Sequence, residues 1–225
     1  GRSPSLAAMT RYALRELAES PDGFFLMVEG SQIDWGGHSN DLEYVIDETA
    51  DFDDAIGEVY RFLKENGLDD DTLVVITADH GEEFREHGGW WHGTTLYDEQ
   101  IRVPLVMRLP EGMSDGGERS GRRREPVQLV DLPATILRLL GLTATDASPG
   151  RSLLDPAQSD REPVRSFAQN GMQAVIEGRF KLITSQGEEA TLLFDLEADP
   201  GEQENLAGTQ ADRVARLREL GVEWE

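Results

Sequence analysis

Residues 24–80 read FFLMVEGSQIDWGGHSNDLEYVIDETADFDDAIGEVYRFLKENGLDDDTLVVITADH, and the succession of patterns in this stretch decides the fold class. Phe24 to Val28 is a short apolar run bounded by Pro21-Asp22-Gly23 and by Gly30, which predicts a buried strand. Asp41 to Asn66 carries Leu42, Val45, Ile46, Phe52, Ile56, Val59 and Leu63 on one stripe at helical spacing, and Gly67 closes it as a C-cap. A second apolar run, Thr72 to Ala78, predicts another buried strand. Strand, long helix, strand is the pattern of a βαβ crossover, because parallel neighbours need a long connection between them. The expected class is therefore α/β, a partial parallel sheet flanked by helices, with functional loops at the C-terminal strand ends. Glu29 and Asp79 stand at those two ends.

Working outward, residues 5–20 place Leu6, Met9, Ala13, Leu14 and Leu17 on one face of a helix that Pro21-Asp22-Gly23 stops. Beyond a loop rich in Gly, His and Trp (80–95), Val103 to Met107 reads as a strand and Glu111 to Arg124 as a polar insertion. Asp131 to Leu140 reads as a helix with Asp131 as N-cap, Pro133 in the first turn and Gly141 at its end. From about Val164 the period shortens. Gln173–Ile176, Phe180–Thr184 and Leu192–Leu196 alternate with turns, predicting an antiparallel meander followed by a helix near Ala211–Leu220. The Pro/Ser/Asp-rich stretch 143–163 marks the boundary, so the expected division is residues 1–145 and 146–225.

Composition narrows the function. The chain has 44 acidic and 21 basic residues, a net charge of -23, and only two lysines, Lys64 and Lys181. A nucleic-acid partner is not expected, because a phosphate backbone would be repelled. The basic run Arg119–Arg124 lies among Gly and Ser without interleaved aromatics. No apolar run approaches the length of a bilayer span, and no signal peptide is read in the first residues. The absence of cysteine removes disulfides, thiolate metal ligands and a cysteine nucleophile.

All four histidines, His38, His80, His87 and His92, fall within 55 residues. Asp34 and His38 stand four apart, a spacing that puts both side chains on one side of a helical turn, as ligands for Zn²⁺ or a similar ion require. Alone, that spacing more often marks a surface ion pair or a helix cap than a ligand pair. Asp79 and His80 end the neighbouring predicted strand, and the two strand ends are expected to converge. A dense cluster of ionisable groups is unfavourable unless a cation neutralises it, so Glu29, Asp34, His38, Asp79 and His80 are the expected metal ligands. His87 and His92 follow in the loop beyond this strand end.

At this point the sequence resembles known families. Residues 5–80, with FFLMVEGSQIDWGGHSNDLEYVIDETADFDDAIGEVYRFLKENG and TLVVITADH, resemble bacterial alkaline phosphatase. Residues 72–225 resemble the C-terminal part of sulfatases, through DHGEEFREHGGWWHGTTLYDEQIRVPLVMRLP, VQLVDLPATILRLLGL, GRFKLI and LFDLEADPGEQENLA. The resemblance implies that Asp34 and His38 bind one zinc, that Asp79 and His80 serve a second, and that Glu29 binds magnesium. His92 is then either a third ligand of the first zinc or a group facing the ester oxygen. Calcium or manganese would replace these ions in a sulfatase-like site.

The implied reaction is metal-dependent hydrolysis of phosphate monoesters, with sulfuric ester hydrolysis as the alternative and a non-catalytic metal-binding remnant as a second. Neither the Asp-Ser-Ala context of phosphatases nor the cysteine of sulfatases occurs, so the chain is expected to be a fragment lacking the nucleophile. By the same resemblance the partner is a small phosphate or sulfate ester, a homodimer is the candidate assembly, and the location is periplasmic or secreted.

Overall fold

The computed structural model describes residues 4–111, 121–142, 150–155, 163–185 and 190–221. The elements in chain order are α1 (Leu6–Leu17), α2 (Ser31–His38), α3 (Leu42–Glu65), β1 (Val74–Thr77), β2 (Glu83–Phe84), β3 (Trp90–Trp91), α4 (Asp98–Ile101), β4 (Leu105–Arg108), α5 (Asp131–Leu139), β5 (Val164–Phe167), β6 (Met172–Glu177), β7 (Phe180–Ser185), β8 (Thr191–Asp195) and α6 (Ala211–Glu219). Residues 112–120, most of the polar insertion, and residues 143–149 and 156–162, most of the expected boundary, lie outside the described residues. The chain divides into two compact units.

The first unit holds Gly1–Val75, Phe84–Trp91 and Val106–Gly112. Its two longer helices start on side-chain caps: Ser5 accepts from the Ala8 N–H and Asp41 from the Tyr44 N–H, supplying acceptors that the first helical turn lacks. Asn66 and Gly67, the latter at φ +65°, end α3 where the sequence predicts. Leu14 of α1 and Ala55 and Leu63 of α3 are buried. Arg11 of α1 forks onto Glu58 of α3 at 2.7 and 2.6 Å, and Arg61 bonds the same carboxylate. These guanidinium bonds, Arg11's foremost, hold the Glu58 carboxyl down at about 2. Gly36 lets α2 lie against α3, because a Cβ there would stand 2.8 Å from Val45 Cγ2.

The second unit holds Ile76–Glu83, His92–Leu105 and Met113–Glu225. Its sheet has the order β5-β6-β7-β8 and is antiparallel throughout, as the meander predicts, with Val175 opposite Leu182 and Leu182 opposite Leu193. Alternation along β7 serves two cores. Phe180 and Leu182 join Val175, Leu193 and Leu217 of α6 on one face, while Ile183 joins Leu96, Ala168, Ala174 and Phe194 on the other. Each buried Val, Leu, Ile or Phe among them contributes roughly 1.5–3 kcal/mol of transfer free energy.

Lys181, fully buried on the Ile183 face, pairs with Asp98 Oδ1 at 2.9 Å and Glu202 Oε1 at 2.8 Å. Glu202 Oε2 also accepts from the Asp98 N–H at 2.6 Å, which anchors the start of α4. Burial pushes the Glu202 carboxyl upward, against the pull of Lys181.

The structure corrects the sequence expectation at residues 24–28. They make no ladder among the described residues, and half-buried Phe24, Leu26 and Val28 alternate with Phe25 and Met27, exposed by 80% and 76%. The expected strand–helix–strand crossover is therefore not formed, although β1 is present and pairs with β4. An apolar alternating run qualifies a segment for a sheet, but a strand exists only where another strand takes up its N–H and C=O groups. Asp131 also departs from expectation. Val130 takes the cap position, and the buried Asp131 carboxylate accepts from the Gln128 and Arg151 N–H groups at 3.0 and 2.9 Å. No described helix is long and apolar enough to cross a membrane.

Candidate metal-binding and catalytic residues

Helix α2 does what the four-residue spacing requires. Asp34 and His38 fall on one side of it, with Asp34 Oδ2 3.5 Å from His38 Nε2, and both side chains are open to solvent. The short helix is held by its far end: Gly36 O accepts from the Asp41 N–H at 3.0 Å, and Tyr44 donates to Gln32 Oε1 at 2.7 Å. Glu29 is exposed, and among the described residues it makes no hydrogen bond or ion pair. His87 lies in the turn between β2 and β3.

Past β1 the chain bends at Asp79. Its Oδ1 accepts from the His80 N–H at 3.1 Å, and its Oδ2 lies 3.6 Å from His80 Nε2. The other ring nitrogen, Nδ1, points at Gly81 O at 3.0 Å. A carbonyl can only accept, so Nδ1 carries the proton of the neutral ring and Nε2 the lone pair. Two acceptors, Nε2 and the Asp79 oxygen, then face each other. A divalent cation shared between them would suit both, since imidazole and carboxylate are common donors to such ions.

His92 is built the same way. Its Nδ1 lies 3.1 Å from Glu82 Oε2, a partner that selects the Nδ1–H form and orients the ring. The His80 and His92 rings stack with centroids 3.9 Å apart and an interplanar angle of 24°, and one ring nitrogen of each lies within 4.8 Å of the other's. Gly81 permits this close turn. A Cβ there would stand 2.0 Å from Glu99 O, and the Gly81 N–H donates to Gln100 O at 2.8 Å.

The structure thus brings together Asp34 with His38, Asp79 with His80, and His80 with His92, and it draws Glu29 into none of these pairs. Sequence reading missed Glu82 as the partner of His92 and Gln100 as the seat of Gly81. Glu82 offered a faint signal, a carboxylate two residues beyond a candidate ligand; Gln100 offered none.

Residues 85–219 match the family model described as "N-sulphoglucosamine sulphohydrolase, C-terminal", and residues 1–102 match the one described as "Alkaline phosphatase". The chain belongs to the alkaline phosphatase/sulfatase superfamily. Among curated superfamily relatives, it is 52% identical over 116 residues to "Alkaline phosphatase 3" of Bacillus subtilis, covering 50% of this chain and 23% of that protein. It is 33% identical over 190 residues to the "Multifunctional alkaline phosphatase superfamily protein PehA" of Trinickia caryophylli, covering 72% of this chain and 35% of that protein. The solved structure "BT4656 in complex with its substrate D-Glucosamine-2-N, 6-O-disulfate" aligns with a TM-score of 0.63 and 25% identity over 77% of this chain and 38% of that one. The chain therefore spans between about a quarter and two fifths of these superfamily members. Alkaline phosphatases use divalent metals, and the imidazole and carboxylate donors described above fit such ions.

Proposed function

We propose that this chain supplies metal-binding residues to a hydrolase of phosphate monoesters. Asp34 and His38 would hold one divalent cation and Asp79 and His80 another, both zinc, with magnesium at Glu29. Bound cations supply charge neutralisation of the ester, attacking and leaving oxygens. Glu82 holds the His92 ring with its proton on Nδ1, which leaves Nε2 to face the ester oxygen. The observation that carries the reading is the repeated pairing of a carboxylate with an imidazole: Asp34 Oδ2 lies 3.5 Å from His38 Nε2 and Asp79 Oδ2 lies 3.6 Å from His80 Nε2, and each is a donor pair suited to a shared cation.

Residues 1–145 belong to the α/β metal-binding domain of that hydrolase, and residues 146–225 form its C-terminal subdomain. The substrate is a small ester rather than nucleic acid, the assembly a homodimer, and the location periplasmic or secreted. Hydrolysis of a sulfuric ester, with calcium or manganese, is the second reading. It is favoured by the match over residues 85–219 and by the likeness to BT4656, a protein described with a sulfated sugar as its substrate.

The test is metal content after dialysis against zinc, together with turnover of para-nitrophenyl phosphate and para-nitrophenyl sulfate, on the wild type and on Asp34→Ala. Retained zinc that the variant loses supports the metal assignment, and a preference for the phosphate ester supports the reaction. A wild type that retains no metal overturns the assignment; a preference for the sulfate ester replaces the first reading by the second.

A further inference from the structure

Hydrogen bonds from two loop segments converge on Gln100, a residue only 2% exposed in the short helix α4. Its side-chain Oε1 accepts from the Thr94 and Thr95 N–H groups, each at 3.3 Å. Its Nε2 donates to Thr95 Oγ1 at 2.6 Å and to Glu83 Oε2 at 2.9 Å. Its main-chain oxygen takes the Gly81 N–H at 2.8 Å. Gly81 to Glu83 directly follow His80, and Thr94 and Thr95 lie two and three residues past His92. One amide group therefore joins the two segments that carry the stacked imidazoles.

We propose that Gln100 is a positioning residue that holds His80 and His92 in register and keeps the proton of each ring on Nδ1. The groups that select that tautomer, Gly81 O and Glu82 Oε2, belong to the segment that Gln100 grips on both sides, at Gly81 and at Glu83. The grip is rigid because α4 is itself fixed: Asp98, two residues earlier, is bonded to buried Lys181 and to Glu202. A carboxamide is suited to the task because it donates and accepts at once, and a buried amide with partners at both ends specifies one arrangement of its surroundings. The inference rests on the reading of His80 and His92 as site residues.

The test reads the tautomers of His80 and His92 by long-range ¹H–¹⁵N imidazole correlation on the metal-free chain in mildly alkaline buffer, and separately measures zinc affinity by competition. The variants are Gln100→Met, which keeps the volume and loses the amide, and Thr95→Val, which removes one arm while leaving the Glu83 bond. The wild type should show the Nδ1–H form at both histidines. Gln100→Met should show mixed tautomers at both and bind zinc about tenfold more weakly, because the groups that orient a ligating imidazole set its affinity for the metal, and Thr95→Val should shift the tautomers in the same direction.

Wild-type tautomers and zinc affinity in Gln100→Met, even with a lowered melting temperature, would overturn the proposal. If that variant does not fold, unchanged tautomers in Thr95→Val overturn it equally. A wild type that binds no zinc would sink the metal assignment, while the metal-free tautomer spectrum would still decide the role of Gln100.

Discussion

Replacing Lys181 by methionine removes a fully buried cation that faces two carboxylates in the second unit. Lys181 is fully buried, Glu202 is exposed by 1% and Asp98 by 15%, so neither partner can regain full hydration when the ammonium is lost. Breaking a buried pair from one side costs about 3–5 kcal/mol, because the remaining charge stays in a poorly solvating interior. In a chain of this size that corresponds to a fall in melting temperature of about 6–20 °C. Burial already raises the Glu202 carboxyl. A group raised on folding contributes stability that is fully present below its unfolded pKa and lost as pH rises through its folded one, so the deficit of Lys181→Met should grow with pH. Urea titrations of wild type, Lys181→Met and the double variant Lys181→Met/Glu202→Gln at two pH values check this, with the double variant recovering more than half the loss. A loss below about 1 kcal/mol, the size of an exposed ion pair, or no recovery in the double variant, would refute the reasoning.

Gly81→Ala should destabilise by about 1–3 kcal/mol in urea, because its Cβ would stand 2.0 Å from Glu99 O and α4 must retreat; wild-type stability would mean that the turn after His80 is not seated on α4. Glu58, whose carboxyl Arg11 and Arg61 hold down at about 2 from an ordinary 4.5, contributes stability above pH 4.5 that disappears as pH falls toward 2. Glu58→Gln should therefore unfold more readily than wild type at neutral pH, and the two acid-unfolding curves should converge near the bottom of that window; parallel curves would contradict the assignment.

What the sequence determined by itself is the set of features whose causes are local. Ser5 and Asp41 cap their helices, Gly67 and Gly141 follow helix ends with positive φ, and Gly171 and Gly178, at φ +80° and +59°, mark turns of the meander, where β6, β7 and β8 begin and end within about one residue of the predicted positions while β5 is not predicted as a strand. The pairs Asp34–His38 and Asp79–His80 were legible for the same reason, since partners four or one residue apart are brought together by helix geometry or by the chain itself.

What only the tertiary structure decided depends on partners far away in sequence. The apolar alternation of residues 24–28 could not show whether another strand takes up their backbone groups, and among the described residues none does. Lys181 meets Asp98 across 83 positions, and Glu202 reaches the Asp98 N–H across 104. His92 finds Glu82 and stacks on His80 only because Gly81 leaves room for α4 and Gln100 joins the two loops. Such contacts follow from the three-dimensional path of the chain and leave no period in the sequence, because a buried polar group is satisfied by whichever partner the packing brings within reach.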